Sequence, residues 1–143
     1  ENKWDLIEKN TNTGKEFEIE ITKQFKILGN YPTLFISALT KQRVSKVLDI
    51  VWNVYQSRQQ KINTKDLNSW LEKINRIKAP PAPKGKEIKI KFMTQVHLSP
   101  PIFACFCNYP QLIPAFYQRF FENQFRESFN FDGVPLIFSF RKK

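Results

Sequence analysis

Two short runs in this sequence combine residue types and spacing that could recognise a planar ligand, and the first is Asn2-Lys3-Trp4-Asp5. On a rigid loop, the carboxylate of Asp5 could accept two parallel hydrogen bonds from adjacent N–H donors, such as N1–H and the 2-amino group of guanine. Adenine offers no such pair. The amide of Asn2 could brace the loop, and the stem of Lys3 could lie over the ring. The alternative is structural, with Asp5 capping a turn.

The second run, Ser37-Ala38-Leu39, begins 32 residues after Asp5. It directly follows the apolar segment Thr33–Ile36, which the pattern predicts to be a buried strand. Its small side chains would let a base approach, and a backbone N–H could donate to guanine O6. In this order, Asn-Lys-x-Asp and Ser-Ala-x resemble the base-recognition loops of GTPases. The predicted guanine-binding residues are Asn2, Lys3, Asp5, Ser37, Ala38 and Leu39.

The elements that must position these loops lie in residues 1–63. Apolar residues at helical spacing predict helices over Lys15–Leu28 and Arg43–Gln60, on either side of the Thr33–Ile36 strand. A lone buried strand leaves its backbone groups unpaired, which is costly. The segment therefore reads as an α/β fragment, an incomplete part of a larger layered domain.

Residues 64–143 predict a self-contained α+β domain with the order α-β-β-α-β. A helix begins near Thr64 as its cap, and a stiff proline-rich linker covers residues 79–85. The remaining predicted elements are a strand over Lys86–Val96 in which Ile88, Ile90 and Phe92 face inward, a strand over Ile102–Cys107, a helix over Pro110–Phe129, and a strand through Leu136, Phe138 and Phe140 after the turn at Asp132-Gly133.

Positive charge is concentrated in this second part. The chain has 23 basic and 13 acidic residues, and residues 64–143 carry 13 of the former and 6 of the latter. Such an excess suggests a polyanionic partner, with nucleic acid as the first choice, although basic residues can also serve only to solubilise an aromatic-rich domain. The residues predicted to contact RNA are here called the basic set: Lys84, Lys86, Lys89, Lys91, Arg141, Lys142 and Lys143.

The remaining chemical groups predict no catalytic centre. Cys105 and Cys107 are two residues apart, a spacing that suits neither a Cys-x-x-Cys redox pair nor a tetrahedral zinc site, and His97 is the single histidine. We expect buried, reduced thiols in a cytoplasmic protein. The uncharged stretch 92–118 contains four prolines, so we expect no spanning helix and no membrane partner. The aromatic residues of the 110–129 helix predict core packing rather than base stacking.

Longer runs in the second part make the resemblance specific. The whole chain resembles bacterial GTPases of the Der family, also called EngA, in which two tandem G domains precede a KH-like domain. The runs that carry the resemblance are Met93-Thr94-Gln95-Val96, Pro100-Pro101, Phe106-Cys107-Asn108, Tyr117 to Asn123, Arg126-Glu127, Gly133-x-Pro135 and Phe140-Arg141.

This resemblance implies that residues 1–63 are the last part of the second G domain, a partial P-loop GTPase domain, and that 64–143 are the KH-like domain. The four glycines lie far apart, so the chain has no Gly-x-x-x-x-Gly-Lys loop for phosphates and no Gly-x-x-Gly loop of RNA-binding KH domains. We expect GTP or GDP and Mg²⁺ as cofactors of the parent protein. We expect none in this chain, which should not hydrolyse GTP.

The resemblance also implies partners. The parent would assist biogenesis of the large (50S) ribosomal subunit in the cytoplasm. The KH-like domain would contact ribosomal RNA and serve as a docking platform for the G domains. The alternative is a stand-alone RNA-binding or protein-interaction module with no nucleotide role, in which the N-terminal motifs are vestigial.

Overall fold

Four helices and three strands follow the chain in the order α1, α2, α3, β1, β2, α4, β3. They are seen in a computed structural model that describes residues 2–8, 10 and 12–142, with the backbone alone at positions 26, 27 and 84. The chain divides into two compact units, one formed by 1–57 with 132–134 and the other by 58–131 with 135–143. The domain boundary predicted between residues 63 and 64 stays a prediction.

The first unit contains helices α1 (Thr13–Gln24) and α2 (Ser45–Arg58). Helix α1 ends earlier than predicted because a 3-10 helix, Lys26–Asn30, takes over after Phe25. The predicted strand over Thr33–Ile36 is wrong, since this segment is neither helix nor strand. The segment does not form a strand because the described part of this unit contains no neighbouring strand with which it could pair.

The second unit opens with helix α3 (Thr64–Ile77), which buries Leu67, Trp70, Leu71 and Ile74 on one side. Thr64 does not cap it, contrary to the prediction. The cap is the preceding residue, Asn63, whose side-chain oxygen accepts the N–H of Lys65 at 2.8 Å.

Strands β1 (Ile90–His97), β2 (Ile102–Cys107) and β3 (Ile137–Lys142) form one sheet in that order. Strands β1 and β2 are antiparallel, whereas β2 and β3 are parallel. Helix α4 (Ala115–Ser128) crosses between β2 and β3. The predicted order α-β-β-α-β is therefore confirmed, and this unit is a small α/β domain with a three-stranded sheet.

Two predicted bounds in this unit are wrong. Strand β1 begins at Ile90 rather than Lys86, and α4 begins at Ala115 rather than Pro110. Prolines explain the second, because Pro110 opens a separate 3-10 helix and Pro114 lies just before α4 in extended backbone.

A β-bulge near the start of β1 changes which side chains face the core. Ile90 pairs with Cys107 but Phe92 pairs with Phe106, so an extra residue of β1 stands between the two pairs. Ile88 and Ile90 are buried as predicted, yet Phe92 is 40% exposed and Met93 is buried in its place. The strict alternation predicted for Phe92 is therefore wrong beyond the bulge.

Aromatic rings fill the space between the sheet and its helices. Phe103 of β2 lies 4.7 Å from Phe125 of α4, measured between ring centroids, and Phe138 of β3 lies 5.4 Å from Phe121. Trp70 of α3 packs edge-on against both α4 rings. Both helices thus cover the same face of the sheet, and the predicted core packing is confirmed for Tyr117, Phe121 and Phe125 of α4. Phe116 of the same helix is 51% exposed.

No helix of the described ranges is long and apolar enough to traverse a lipid bilayer.

Candidate functional site

The two runs singled out in the sequence lie side by side in the first unit. The hydroxyl of Ser37 donates a hydrogen bond to Oδ1 of Asp5. The backbone N–H of Ala38 donates to Oδ1 of Asn2 at 3.0 Å, and the same oxygen accepts the N–H of Lys3 at 2.7 Å. Residues 2–5 and 37–38 therefore form one hydrogen-bonded cluster.

An aromatic cluster below these loops holds them together. Trp4 is buried and stacks on Phe35 with a centroid distance of 4.5 Å, while Phe17 of α1 packs edge-on against the tryptophan at 5.7 Å. The backbone N–H of Trp4 donates to the carbonyl of Ile36 at 2.9 Å. Burial of Trp4 and its backbone bond therefore place Asp5 next to the residue that follows Ile36, which is Ser37.

Ser37 is the central polar residue of the cluster. It is fully buried, and besides donating to Asp5 its hydroxyl oxygen accepts the N–H of Thr40 at 3.2 Å. Its own N–H bonds to the carbonyl of Gln42 at 3.2 Å, which closes the loop. A buried hydroxyl with both a donor and an acceptor role fixes the loop and the carboxylate at once.

Three non-glycine residues in or beside these two loops have left-handed backbone. The non-glycine residues with positive φ in the described chain are Lys3 (φ 66°), Lys41 (φ 59°) and Arg43 (φ 59°). Left-handed backbone costs a non-glycine residue about 1–2 kcal/mol and is retained where the surroundings impose it, often at functional sites. The position of all three beside the cluster supports a binding role for it.

Each predicted guanine-binding residue can now be placed. Asn2 accepts the N–H of Lys3 within its own loop and that of Ala38 in the second loop, a contact that we had not predicted, and Asp5 and Ser37 are in contact. The N–H of Ala38, which we expected to meet guanine O6, is used by Asn2 instead. Lys3 is exposed, and the side chain of Leu39 is 84% exposed. The contacts of all six residues with guanine stay predictions.

Sequence reasoning missed the residues that support the cluster. Trp4 stands inside the first motif and Phe35 just before the second, so burial of aromatic residues beside polar loop residues was the available signal. Gln42 gave no signal, because its contribution is a backbone carbonyl.

The basic set does not form one uniform patch. Lys89 pairs with Glu87 at 3.0 Å, the ammonium of Lys86 lies 5.5 Å from the ring centroid of Tyr109, and Arg141 donates to Ser139. Lys91 and Lys142 line a cavity. The side chain of Lys84 and all of Lys143 fall outside the described residues.

The two thiols are buried, as predicted, and neither forms a disulfide with the other. Burial raises the pKa of Cys105 to about 12, with a smaller contribution from the charge of neighbouring Cys107, and burial also raises the pKa of Cys107. Neither thiol therefore forms the thiolate that nucleophilic chemistry needs near neutral pH. In the described ranges, no three His, Cys, Asp or Glu side chains come together as metal ligands.

Comparison with known families now decides the class of the second unit. Residues 61–141 match the family model described as the KH-domain-like, C-terminal domain of EngA bacterial GTPase enzymes. The chain belongs to this EngA family. The match spans α3 to β3, so the α-β-β-α-β unit is its KH-like domain, and the resemblance to Der proteins predicted from the sequence is confirmed.

Relatives named GTPase Der match along the whole chain. The protein of Chloroherpeton thalassium is 48% identical over 144 residues, which cover 99% of this chain and 33% of the relative. Those of Christiangramia forsetii and Fusobacterium nucleatum are 46% and 44% identical, over 99% of this chain and 33% and 32% of their own lengths. The chain thus spans about a third of the curated relatives that it matches.

Proposed function

We propose that the first unit is the base-recognising part of a guanine-nucleotide-binding domain with P-loop topology. The observation that carries this proposal is the pair of bonds joining Asp5 to Ser37 and Asn2 to Ala38. The planar carboxylate of Asp5 is of a kind that can pair with the two adjacent N–H donors of a guanine edge, which adenine lacks. The strained backbone of Lys3 supports the same assignment.

Helix α2 supports the view that this unit is part of a larger layered domain. None of its residues is buried, although it presents a run of large apolar side chains that includes Leu48, 73% exposed, and Trp52, 61% exposed. Exposed apolar surface of this kind is typical of a face that another layer covers. The remainder of a G domain is the partner of matching chemistry.

The phosphate groups and Mg²⁺ of a bound nucleotide would have to be held by residues other than those described. The described residues include neither a glycine-rich phosphate loop nor a metal-ligand cluster. A few base contacts worth on the order of 1 kcal/mol each leave, after the cost of immobilising a ligand, an affinity no better than about millimolar. GTP or GDP with Mg²⁺ would serve the parent protein, and this chain alone would show no GTP hydrolysis.

For the KH-like domain we propose a contact with ribosomal RNA of the large subunit in the cytoplasm, in support of 50S assembly. The support is electrostatic: this half carries 13 basic against 6 acidic residues. Contacts between lysine and phosphate release counterions, so binding should fall steeply with salt. The same domain would also be a docking platform for the G domains.

The base-recognition proposal is tested by NMR titration of the 15N-labelled chain with millimolar GMP and, separately, AMP. Guanine should shift the amide signals of Asn2, Asp5 and Ala38, whereas adenine should not, and Asp5→Ala should abolish the response. Equal shifts with both nucleotides, or none with GMP, would contradict base recognition. If the chain hydrolysed GTP faster than a blank without protein, and Asp5→Asn abolished this hydrolysis, the expected inactivity would be contradicted.

The RNA proposal is tested by the salt dependence of binding to a ribosomal RNA fragment. The logarithm of the association constant should fall linearly with the logarithm of the salt concentration, with a slope near −0.7 per neutralised phosphate for single-stranded RNA. Replacing Lys86 and Lys91 together by Gln should flatten the slope, while the matched pair Lys65→Gln and Lys73→Gln on α3 should not. Affinity that is the same at low and physiological salt would contradict the proposal.

A further inference from the structure

A cavity of about 450 Å³ opens at the end of the sheet where β2 stops. It is lined by Lys91, Cys107, Asn108, Tyr109 and Lys142. Cys107 pairs with Ile90 of β1 on one side and with Lys142 of β3 on the other. Neighbouring strands lie about 4.8 Å apart, so Lys91 and Lys142 stand on backbones about 10 Å apart, on opposite sides of the cavity.

The two lysines of the cavity are its available cations. Lys89 is adjacent in the chain but is paired with Glu87. Within the described part of the chain, neither Lys91 nor Lys142 forms an ion pair, and both are exposed. Two cations that flank a concave site with no acidic lining residue suit an anion such as a phosphate group.

Asn108 makes the wall of the cavity rigid. Its side-chain oxygen accepts the N–H of Lys89 at 2.9 Å and that of Tyr109 at 3.1 Å, and its amide donates to the carbonyl of Glu87 at 2.8 Å. One side chain therefore ties the segment before β1 to the end of β2. Such a framework holds Tyr109 in place before any ligand arrives, which reduces the entropy lost on binding.

Tyr109 and Cys107 give the cavity an apolar wall. The tyrosine is half-buried, and the ammonium of Lys86 lies 5.5 Å from its ring centroid. An aromatic ring beside two cations is the combination with which proteins hold unpaired nucleotides, the base stacking on the ring and the phosphate meeting the cations. The cavity volume falls within the usual range for small-molecule sites, about 300–1,000 Å³.

We propose that this cavity holds a single unpaired nucleotide of an RNA strand. Lys91 and Lys142 contact the phosphate, Tyr109 stacks on the base, and Asn108 is the positioning residue. The inference rests on the proposed association with RNA and adds a defined site to it, at which two members of the basic set act together with an aromatic ring.

The first test is NMR titration of the 15N-labelled chain with UMP, with inorganic phosphate and with uridine as separate probes. UMP should shift the amides of Lys91, Asn108, Tyr109 and Lys142 at millimolar concentration, and phosphate or uridine alone should shift them less. Shifts scattered over the surface, or no shift with UMP, would overturn the proposal. Binding of UMP at micromolar concentration that an oligouridylate does not displace would assign the cavity to a free nucleotide and overturn the RNA assignment.

The second test measures binding of a ten-nucleotide oligouridylate to four variants. Tyr109→Leu should weaken binding about tenfold because the base loses the aromatic ring on which it stacks, while Tyr109→Phe keeps the ring and should bind normally. Lys142→Gln should weaken binding and lower the salt slope by about 0.7, and the control Lys73→Gln on α3 should do neither.

These outcomes separate the site from the broader RNA proposal. If Lys142→Gln and Lys73→Gln lost the same amount of RNA affinity and Tyr109→Leu lost none, salt-sensitive RNA binding would stand. The assignment of the cavity as a nucleotide site would be overturned. Absence of any RNA binding, together with UMP shifts at the cavity, would overturn the RNA proposal instead and with it the assignment of the occupant as an RNA nucleotide.

Discussion

The backbone N–H of Ala38 donates to Oδ1 of Asn2 at 3.0 Å across 36 residues of chain. Together with the bond from Ser37 to Asp5, it fixes the two motif loops against each other without a ligand. A guanine O6 that sought the Ala38 N–H would have to displace the Asn2 oxygen. The two loops are therefore held in place, and the Ala38 N–H is already bonded to Asn2.

Removing the Ser37 hydroxyl should destabilise the first unit. Ser37→Ala deletes the bond to Asp5 and the one accepted from Thr40, and a hydrogen bond to a charged group is worth about 1.5–3 kcal/mol. We expect a loss of about 2 kcal/mol in the free energy of unfolding of this unit, measured by urea titration followed through the NMR signal of the Trp4 indole N–H. The exposed Ser69 of α3 provides the control, since Ser69→Ala should change stability by less than about 0.5 kcal/mol.

The resemblance to GTPase base-recognition loops was sufficient to single out the two motifs together, and the structure joins them by hydrogen bonds. The sequence could not predict that Ala38 would donate to Asn2, because a backbone N–H has the same appearance in every residue. The Thr33–Ile36 strand was wrong for a related reason. An apolar run shows that a segment is suited to burial, whereas a strand also needs a neighbour to accept its hydrogen bonds.

The KH-like unit was predictable at the level of element order, since helical and alternating periodicities are local properties. The bulge at the start of β1 was not, and it exchanged Phe92 for Met93 in the core. The aromatic core of α4 was predicted correctly because its spacing matched a helix. The cavity at the end of β2 was not, because its residues come from three separated segments.

Gly133 should tolerate no larger residue. Its φ is +72°, and a Cβ atom there would lie 2.7 Å from Cγ2 of Val54 and 2.9 Å from Cδ of Pro32. Gly85 has the same φ with nothing within 4 Å. Gly85→Ala should therefore lower the free energy of unfolding by only about 1 kcal/mol, the cost of left-handed backbone for alanine. Gly133→Ala should lower it by about 1–3 kcal/mol more because of the close contacts. Equal urea midpoints for the two variants would contradict the close packing.

Two asparagines of α3 should differ sharply in their contribution to the free energy of unfolding. Asn68 accepts the N–H of Met93 at 3.0 Å and donates to its carbonyl at 2.9 Å, on the outer edge of β1. Asn75 donates only to the carbonyl of Ile90, and its own side-chain oxygen is buried with no partner in the described chain. Asn68→Ala should thus cost about 2–3 kcal/mol, and Asn75→Ala less than about 1 kcal/mol.

Both substitutions replace Asn by Ala in the same helix, so the gain in helix propensity is shared and cancels in the comparison. Thermal or urea unfolding followed by circular dichroism measures the difference. If Asn75→Ala proved as costly as Asn68→Ala, edge pairing of β1 by Asn68 would not be the dominant contribution. Asn68→Asp keeps the acceptor for the Met93 N–H but sets a carboxylate oxygen against the carbonyls of Met93 and Thr64, so it should cost at least as much as Asn68→Ala.

Alkaline pH should destabilise the KH-like unit through three groups whose pKa is raised by burial, Cys105, Cys107 and Tyr117. Burial raises the pKa of Cys105 from 9.0 to about 12 and that of Tyr117 from 10.0 to about 12. The unfolded chain therefore loses these protons above pH 9 and 10, whereas the folded chain keeps them until about pH 12. The stability from Cys105 and Tyr117 is fully present below pH 9 and is lost as the pH rises to 12.

Within that window each of these two groups lowers the free energy of unfolding by about 1.4 kcal/mol per pH unit. Cys105→Ala removes one of these contributions. The free energy of unfolding of this variant, measured by urea titration from pH 8 to 11, should therefore fall less steeply than that of the unsubstituted chain. The variant starts from a lower stability because a cavity replaces the thiol, but its slope is independent of that offset. Parallel curves for the two proteins would mean that the Cys105 thiol ionises in the folded state as readily as in the unfolded one.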